Sequence, residues 1–319
     1  MARRALGPAG LAIVQAVQAV HRGEPVLVAC SGGADSLALA LAVRAVAARS
    51  GCEARALVVD HGLQPDSARH SQTVVAALRE LGLPASQVAV DVRADGRGLE
   101  AAAREARYDA LSDALAPGER CYLGHTLDDQ AETVLLGLAR GSGSRSLAGM
   151  PAERDGFVRP LLGLRRAVTR QSCHEQGVAW WDDPHNSDHR FSRVRVRATV
   201  LPLLEAELGP GIAEALARTA DLAREDADAM DVLASGPAAV AELDCAELAA
   251  MPPGLRHRVL RRWLLARGAQ EANRPHVLAV AALVTDWHGQ KWVEVPGLRV
   301  ARRAGRLTTV HQLAPESIL

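Results

Sequence analysis

Val26-Leu-Val-Ala-Cys-Ser-Gly-Gly-Ala-Asp-Ser36 is a short apolar run that stops at two glycines and gives way at once to a Leu- and Ala-rich segment. Val26 to Cys30 reads as a buried strand, and Leu37 to Ala48 as a helix packed on a sheet. Between them, Ser31, Gly32, Gly33, Ala34, Asp35 and Ser36 form a turn where glycines let backbone come close to a ligand. Successive N–H groups can converge there, and the new helix offers its positive end. The ligand such a turn suits is a phosphate. A Walker A loop needs a lysine among these residues, and the only lysine of the chain is Lys291, which excludes P-loop kinase and GTPase chemistry.

Outward from this loop, Ala54 to Asp60 reads as a second strand, so strand, helix and strand make a βαβ unit in a parallel sheet. Ligands collect at the carboxyl ends of such strands. That places Asp60-His-Gly62 beside the loop, with His61 either lining a nucleotide pocket or serving only as a turn residue. Ser67 to Leu81 reads as a helix, Gln87 to Val92 as a third strand, and Leu99 to Leu111 as a helix. On that helix Arg104 and Arg107 share a face, fit either for ion pairs with Glu100 or Glu105 or for an anion. Cys121 to His125 reads as a fourth strand and leads into Thr126-Leu-Asp-Asp-Gln-Ala-Glu-Thr133. Thr126 and Asp129 have capping-box spacing, yet His125, Asp129 and Glu132 together exceed what a cap needs. Such carboxylates can bind a cation, orient an amine or take its proton.

Val158 to Gly163 reads as extended, Thr169 to Gln176 as a short helix, and Trp180 to Asn186 as a turn. Arg193, Arg195 and Arg197 share one face if that segment is a strand and scatter if it is a helix. The chain after Leu203 turns Ala-, Leu- and acid-rich to about Leu233. The organisation expected is a catalytic domain over 1–202, a helical connector over 203–233 and a C-terminal domain over 234–319. The last comprises helices at 255–267 and 275–285 and strands at 291–295, 298–303 and 306–312, with Trp263, Trp287 and Trp292 as core.

Formal net charge is zero, but residues 221–248 hold eight acids against one base and residues 256–306 eleven bases against three acids. The basic block, with Arg256, Arg261 and Arg262 on one predicted helix, is a candidate phosphate-contacting surface. No apolar run approaches the roughly 20 residues of a membrane span. The N-terminal segment reads as an amphipathic helix in preference to a signal peptide. Five scattered cysteines without metal-ligand spacing fit a reduced cytoplasm.

Ser31-Gly-Gly-Ala-Asp-Ser36 resembles the S-G-G-x-D-S loop of the N-type ATP pyrophosphatases. Asp60 to Leu63, Glu100 to Tyr108, Gly124 to Thr133, Arg159 to Leu162 and Trp181 to Asn186 narrow the resemblance to the tRNA(Ile)-lysidine synthetases. The resemblance implies an α/β fold: a parallel, doubly wound sheet of the adenine nucleotide α-hydrolase kind, then a helical linker and a smaller α+β domain. It implies that ATP binds on residues 31–36 with His61 and Arg104, that Asp35 holds Mg2+, and that Asp35, His125, Asp129, Glu132 and Arg197 are catalytic. Asp129 and Glu132 would serve a free L-lysine. Arg193, with Arg256, Arg261 and Arg262, would contact isoleucine tRNA bearing a CAU anticodon. A homodimer is left open. The family pattern usually has Ser where His185 stands and R-N-x-x-R where this chain has Arg193-Val-Arg-Val-Arg197. Competing readings are a tRNA thiolase of the same superfamily, disfavoured by the scattered cysteines, and a non-catalytic ATP- or RNA-binding module, which would not require His125, Asp129 and Glu132.

Overall fold

The computed structural model describes residues 6–63, 66–92, 98–141, 143–183 and 188–311. The chain forms two compact units, Met1–Leu222 and Ala223–Leu319. In chain order the first holds α1 (Pro8–Val20), β1 (Val26–Ala29), α2 (Ala34–Ser50), β2 (Ala54–Asp60), α3 (Ser67–Glu80), β3 (Ala85–Ala89) and α4 (Leu99–Ala114). These are followed by β4 (Arg120–Leu123), α5 (Leu127–Ala139), α6 (Ser144–Leu147), β5 (Glu153–Arg154), β6 (Phe157–Val158) and α7 (Arg166–Gln176). Then come α8 (Ser192–Arg195), a π-helical turn (Val196–Val200), α9 (Leu201–Leu208) and α10 (Ile212–Ala238), within which the division between the units falls.

The sheet runs β3-β2-β1-β4-β6-β5, parallel throughout except for β5. From β1 the chain steps outward to β2 and β3, then returns to lay β4 on the other side of β1. The strand order therefore reverses between β1 and β4, and the crevice beyond their carboxyl ends is where an open α/β sheet receives a ligand. The expected doubly wound parallel sheet is present. Strand β1 shows why both faces are covered: Val26 and Val28 enter one core with Val14, Val17, Leu39 and Val43, while Leu27 enters another with Leu57, Leu111 and Leu123. A strand buried on both faces reads as an unbroken apolar run. Helix α2 is apolar on most sides because it packs on the sheet beneath α1 and α7.

Several boundaries moved. Strand β3 begins at Ala85, since its pairing is set by the register with β2, Ala56 opposite Ala85 through Asp60 opposite Ala89. The segment read as extended to Gly163 pairs only at Phe157–Val158 and then turns, with Leu164 N–H donating to the Leu161 carbonyl. The arginine-rich segment is helical.

The second unit holds β7 (Leu243–Asp244), α11 (Cys245–Ala250), α12 (Pro253–Ala266), α13 (Arg274–Thr285), β8 (Val293–Val295), β9 (Leu298–Arg303) and β10 (Arg306–His311). Its antiparallel sheet runs β7-β10-β9-β8. Trp263 is core as expected, fully buried among Leu260, Leu264, Val280 and Leu298, with its indole N–H donating to the carbonyl oxygens of Val240 and Ala241. Trp287 and Trp292 are not: they are 45% and 47% exposed, under the guanidinium groups of Arg302 and Arg299. Both lie beside α13 and β8 rather than on an apolar face, and an arginine stacked on a ring lets indole remain at the surface.

Leu39 has no exposed surface at the centre of α2, whereas Leu138 is 60% exposed. Leu39→Ala is expected to cost about 2–5 kcal/mol in urea denaturation, and Leu138→Ala less than about 0.5 kcal/mol. Equal effects would show that the α2 core does not limit stability.

Candidate active site

The loop after β1 is braced from within. The buried Ser36 hydroxyl donates to the Gly33 carbonyl (3.0 Å) and accepts from Ser31 N–H (3.2 Å), closing residues 31–36 around one oxygen. Gly32 has φ +83°, and a Cβ there would stand 2.5 Å from Val74, so only glycine fits both the backbone and the space. Its carbonyl accepts from Trp181 N–H at 3.0 Å, and the Trp181 ring stacks on His70 at 3.8 Å between centroids. Helix α2 starts at Ala34 with no side-chain cap, so its first-turn amides form an anion seat supported by the helix dipole.

Gly124, at the end of β4, brings the second strand end against this loop: a Cβ there would lie 3.0 Å from the Asp35 backbone carbon. Beyond it, Thr126 and Asp129 form a capping box. The Asp129 Oδ2 atom accepts from both the N–H and hydroxyl of Thr126, each at 2.8 Å. Capping and function are thus not alternatives for Asp129, because its other oxygen takes Arg166 Nη2 at 2.8 Å.

Three carboxylates meet here, each held by cations. Glu132, fully buried, accepts from Arg197 Nε at 2.7 Å and Nη2 at 3.0 Å, and lies 3.3 Å from Arg166 and 3.6 Å from Arg193. Asp35 lies 3.4 Å from Arg166 Nε and accepts the Thr169 hydroxyl. Burial raises the Asp35 carboxyl above its usual range, Thr169 and Arg166 oppose this, and Asp129 reinforces it. At Asp129 burial also works against ionisation, but Arg166, His125 and the Thr126 hydrogen bonds outweigh it and lower the pKa.

Arg193 and Arg197 face the same carboxylate because the segment is helical and they are four residues apart. Arg195 turns away to the His189 and Arg190 carbonyls, and Val194 is buried. At the π-turn, Leu201 N–H reaches back to the Val196 carbonyl. Pro202 follows and lacks the N–H that an α-helical ladder would need.

A cationic wall stands beside this cluster. Burial pushes the His125 imidazole down to about 3, with Arg107, Arg159 and Arg104 adding to the shift and Asp129 opposing it, so the ring is neutral at pH 7. Burial also lowers His61, helped by Arg107. The Arg104 and Arg159 guanidinium groups both donate to the Tyr108 hydroxyl, at 3.3 and 3.1 Å. Buried nitrogens of His61, Arg107, His125 and Arg159 lack protein partners. Buried polar groups left without partners are expected to face a ligand or water.

The structure therefore gathers residues 31–36, Arg104, His125, Asp129, Glu132, Arg193 and Arg197 at neighbouring strand ends. In the second unit, Arg256 lies against the Leu248 and Ala249 carbonyls, Arg261 donates to the Ala272 carbonyl, and Arg262 is 3.9 Å from Asp231. His185 lies outside the described residues. Arg159 stood in a matched stretch without an assigned role, and Arg166 and Thr169 were not singled out in the sequence. Arg166 carried a signal: a cation in the first turn of a helix opposes the dipole unless carboxylates await it.

No cluster of three or more His, Cys, Asp or Glu forms a cation cage among the described residues. One partly buried carboxylate, Asp35, at a phosphate seat suits Mg2+, which binds through one or two carboxylates plus phosphate oxygens.

Comparison with known proteins adds to this geometry. A family described as a PP-loop domain matches residues 11–204, and one described as TilS substrate binding domain matches residues 243–308. The chain is 52% identical over 299 residues to a tRNA(Ile)-lysidine synthase of Leifsonia xyli, covering 90% of both chains. It is 53% identical over 308 residues to one of Mycolicibacterium paratuberculosis, covering 92% of this chain and 94% of the relative. A solved structure, the U34-tRNA thiolase NcsA from Methanococcus maripaludis with its [4Fe-4S] cluster, shares the fold (TM-score 0.56, 15% identity, 68% of this chain and 78% of that one).

The lowered pKa of Asp129 fixes a sign. Its ionised form contributes stability above the unfolded value of about 3.9, and this is lost as pH falls through the lower folded value. Asp129→Asn is expected to cost about 3 kcal/mol at pH 7. The gap to the parent should narrow as denaturation is repeated between pH 5 and 3; a gap independent of pH would contradict this role.

Proposed function

The chain belongs to the tRNA(Ile)-lysidine synthase family, and from that premise we propose that it joins free L-lysine to C2 of the wobble cytidine of isoleucine tRNA with a CAU anticodon. The observation that supports this most directly is the pairing, across β1 and β4, of a phosphate seat with a carboxylate cluster suited to an amine.

In this reading ATP lies with its outer phosphates on residues 31–36, where the α2 amides hold charge without a lysine. Asp35 would hold Mg2+, which neutralises phosphate charge. The cytosine carbonyl oxygen attacks the α-phosphate and pyrophosphate leaves. Arg104, Arg107, Arg159 and Arg193 would stabilise charge on that phosphate, and neutral His125 would offer a hydrogen bond without adding charge. The lysine ε-amine then attacks C2, and the C2–O bond to AMP breaks. Asp129 and Glu132 would bind the ammonium, and one of them would take its proton, freeing the lone pair. His61 would line the nucleotide pocket.

Residues 1–202 would carry this chemistry, 203–233 would connect, and 234–319 would hold tRNA, with Arg256, Arg261 and Arg262 near phosphates. No described helix is long and apolar enough to cross a membrane. The thiolase reading gains nothing from the cysteines: Cys30, Cys121, Cys173 and Cys245 are buried, Cys52 is partly so, and all are free.

Pyrophosphate release and AMP formation are expected with CAU-anticodon isoleucine tRNA plus L-lysine, and Glu132→Gln should lower turnover by at least about 100-fold. AMP formation with no lysine incorporated into tRNA would refute the ligase reading. Replacing Arg256, Arg261 and Arg262 together by Ala should weaken tRNA binding and flatten its salt dependence; unchanged filter binding would remove them from the interface.

A further inference from the structure

Arg166 touches both halves of the site. Its Nη2 lies 2.8 Å from Asp129 Oδ1 and 3.3 Å from Glu132 Oε1, while its Nε lies 3.4 Å from Asp35 Oδ2. It is held in place from below, since its backbone N–H donates to Asp128 Oδ2 at 2.7 Å. Thr169, one turn later on α7, gives its hydroxyl to the other oxygen of Asp35. The first turn of α7 thus engages both oxygens of Asp35.

The rest of the cluster is equally occupied. Asp129 Oδ2 takes Thr126, and both oxygens of Glu132 take Arg197. Every oxygen of Asp35, Asp129 and Glu132 already has a partner, and a second cation placed beside Arg166 would meet a fixed positive charge within a few ångströms. In a partly buried site that repulsion is not screened as it is in water. A lysine ammonium therefore needs Arg166 to withdraw before it can take the Asp129 and Glu132 oxygens.

What withdraws Arg166 follows from its dual contact. A metal–nucleotide complex engaging Asp35 competes for the same carboxylate and brings phosphate oxygens, the preferred partners of a guanidinium. Arg197 has no contact with Asp35 among its ion pairs and would not respond in this way.

We propose that Arg166 is a positioning residue that fills the amine subsite in the free enzyme and yields it when Mg2+ and nucleotide engage Asp35, making lysine binding conditional on nucleotide. This rests on the assignment of Asp35 to the metal–nucleotide and of Asp129 and Glu132 to lysine. Because binding free energies are reciprocal, lysine must tighten nucleotide binding by the same factor.

The test is equilibrium dialysis of radiolabelled L-lysine against the full chain, with and without Mg2+ and α,β-methylene ATP, for the parent, Arg166→Gln and Arg166→Lys. Lysine affinity of the parent should rise at least about tenfold with nucleotide, a coupling within the usual range. R166Q should bind lysine in the absence of nucleotide and lose the dependence, while R166K, retaining the cation, should keep most of it. Near-UV circular dichroism establishes that the variants are folded, and the parent alone decides the matter if R166Q does not fold. Lysine binding by the parent that is indifferent to nucleotide would overturn the gating role and leave the lysine assignment standing. No lysine binding in any state would overturn both.

Discussion

The pairing of Asp35, Asp129 and Glu132 with Arg166 and Arg197 is the constraint around which the first unit is arranged. The three acids come from the starts of α2 and α5, and the two arginines from α7 and the turn before α9, so four separate segments must converge for the charges to balance. A fully buried Glu132 is tolerable only because Arg197 meets it with two hydrogen bonds and two further arginines stand nearby. Isolated, it would carry a desolvation cost of several kcal/mol. Such clusters are poor devices for stability alone. Charges poised to exchange partners when a cation or an anion arrives are suited to a binding site.

The sheet topology explains why these segments converge. Reversal of strand order between β1 and β4 opens one crevice, and the two loops above it begin helices with opposite tasks. The start of α2 offers uncapped amides to an anion, whereas the start of α5 is capped by its own Thr126 and Asp129 and directs the remaining carboxylate oxygens toward cations. One helix end is left open and the neighbouring one is closed. Gly124 makes the closeness feasible, since any side chain there would collide with the Asp35 backbone.

Much of this was legible from residue order. Two glycines between an apolar run and an Ala/Leu segment specify a strand, a turn and a helix whatever surrounds them, and Thr126 to Glu132 specifies a capped helix with surplus acids. The tryptophans illustrate the opposite case. Trp263, Trp287 and Trp292 look alike in composition, but only Trp263 finds backbone carbonyls for its indole N–H inside the core; the other two rest against arginines at the surface. The deciding partners lie 23 residues away for Trp263, 15 for Trp287 and 7 for Trp292. Periodicity does not encode them.

The sequence by itself determined the phosphate loop, the parallel α/β architecture and the acids at 129 and 132, because each depends on local backbone geometry and helical spacing. Tertiary structure alone decided which cations answer those acids. Arg166 is 131 residues from Asp35 and reads, locally, as an unfavourable charge at a helix start. The helical turn of Arg193 and Arg197, which turns Arg195 aside, was likewise undecided in a segment whose alternating pattern suits strand and helix equally. Long-range charge neutralisation in a shared crevice has no signature in neighbouring residues, since the energy that selects it appears only when the strand ends are brought together.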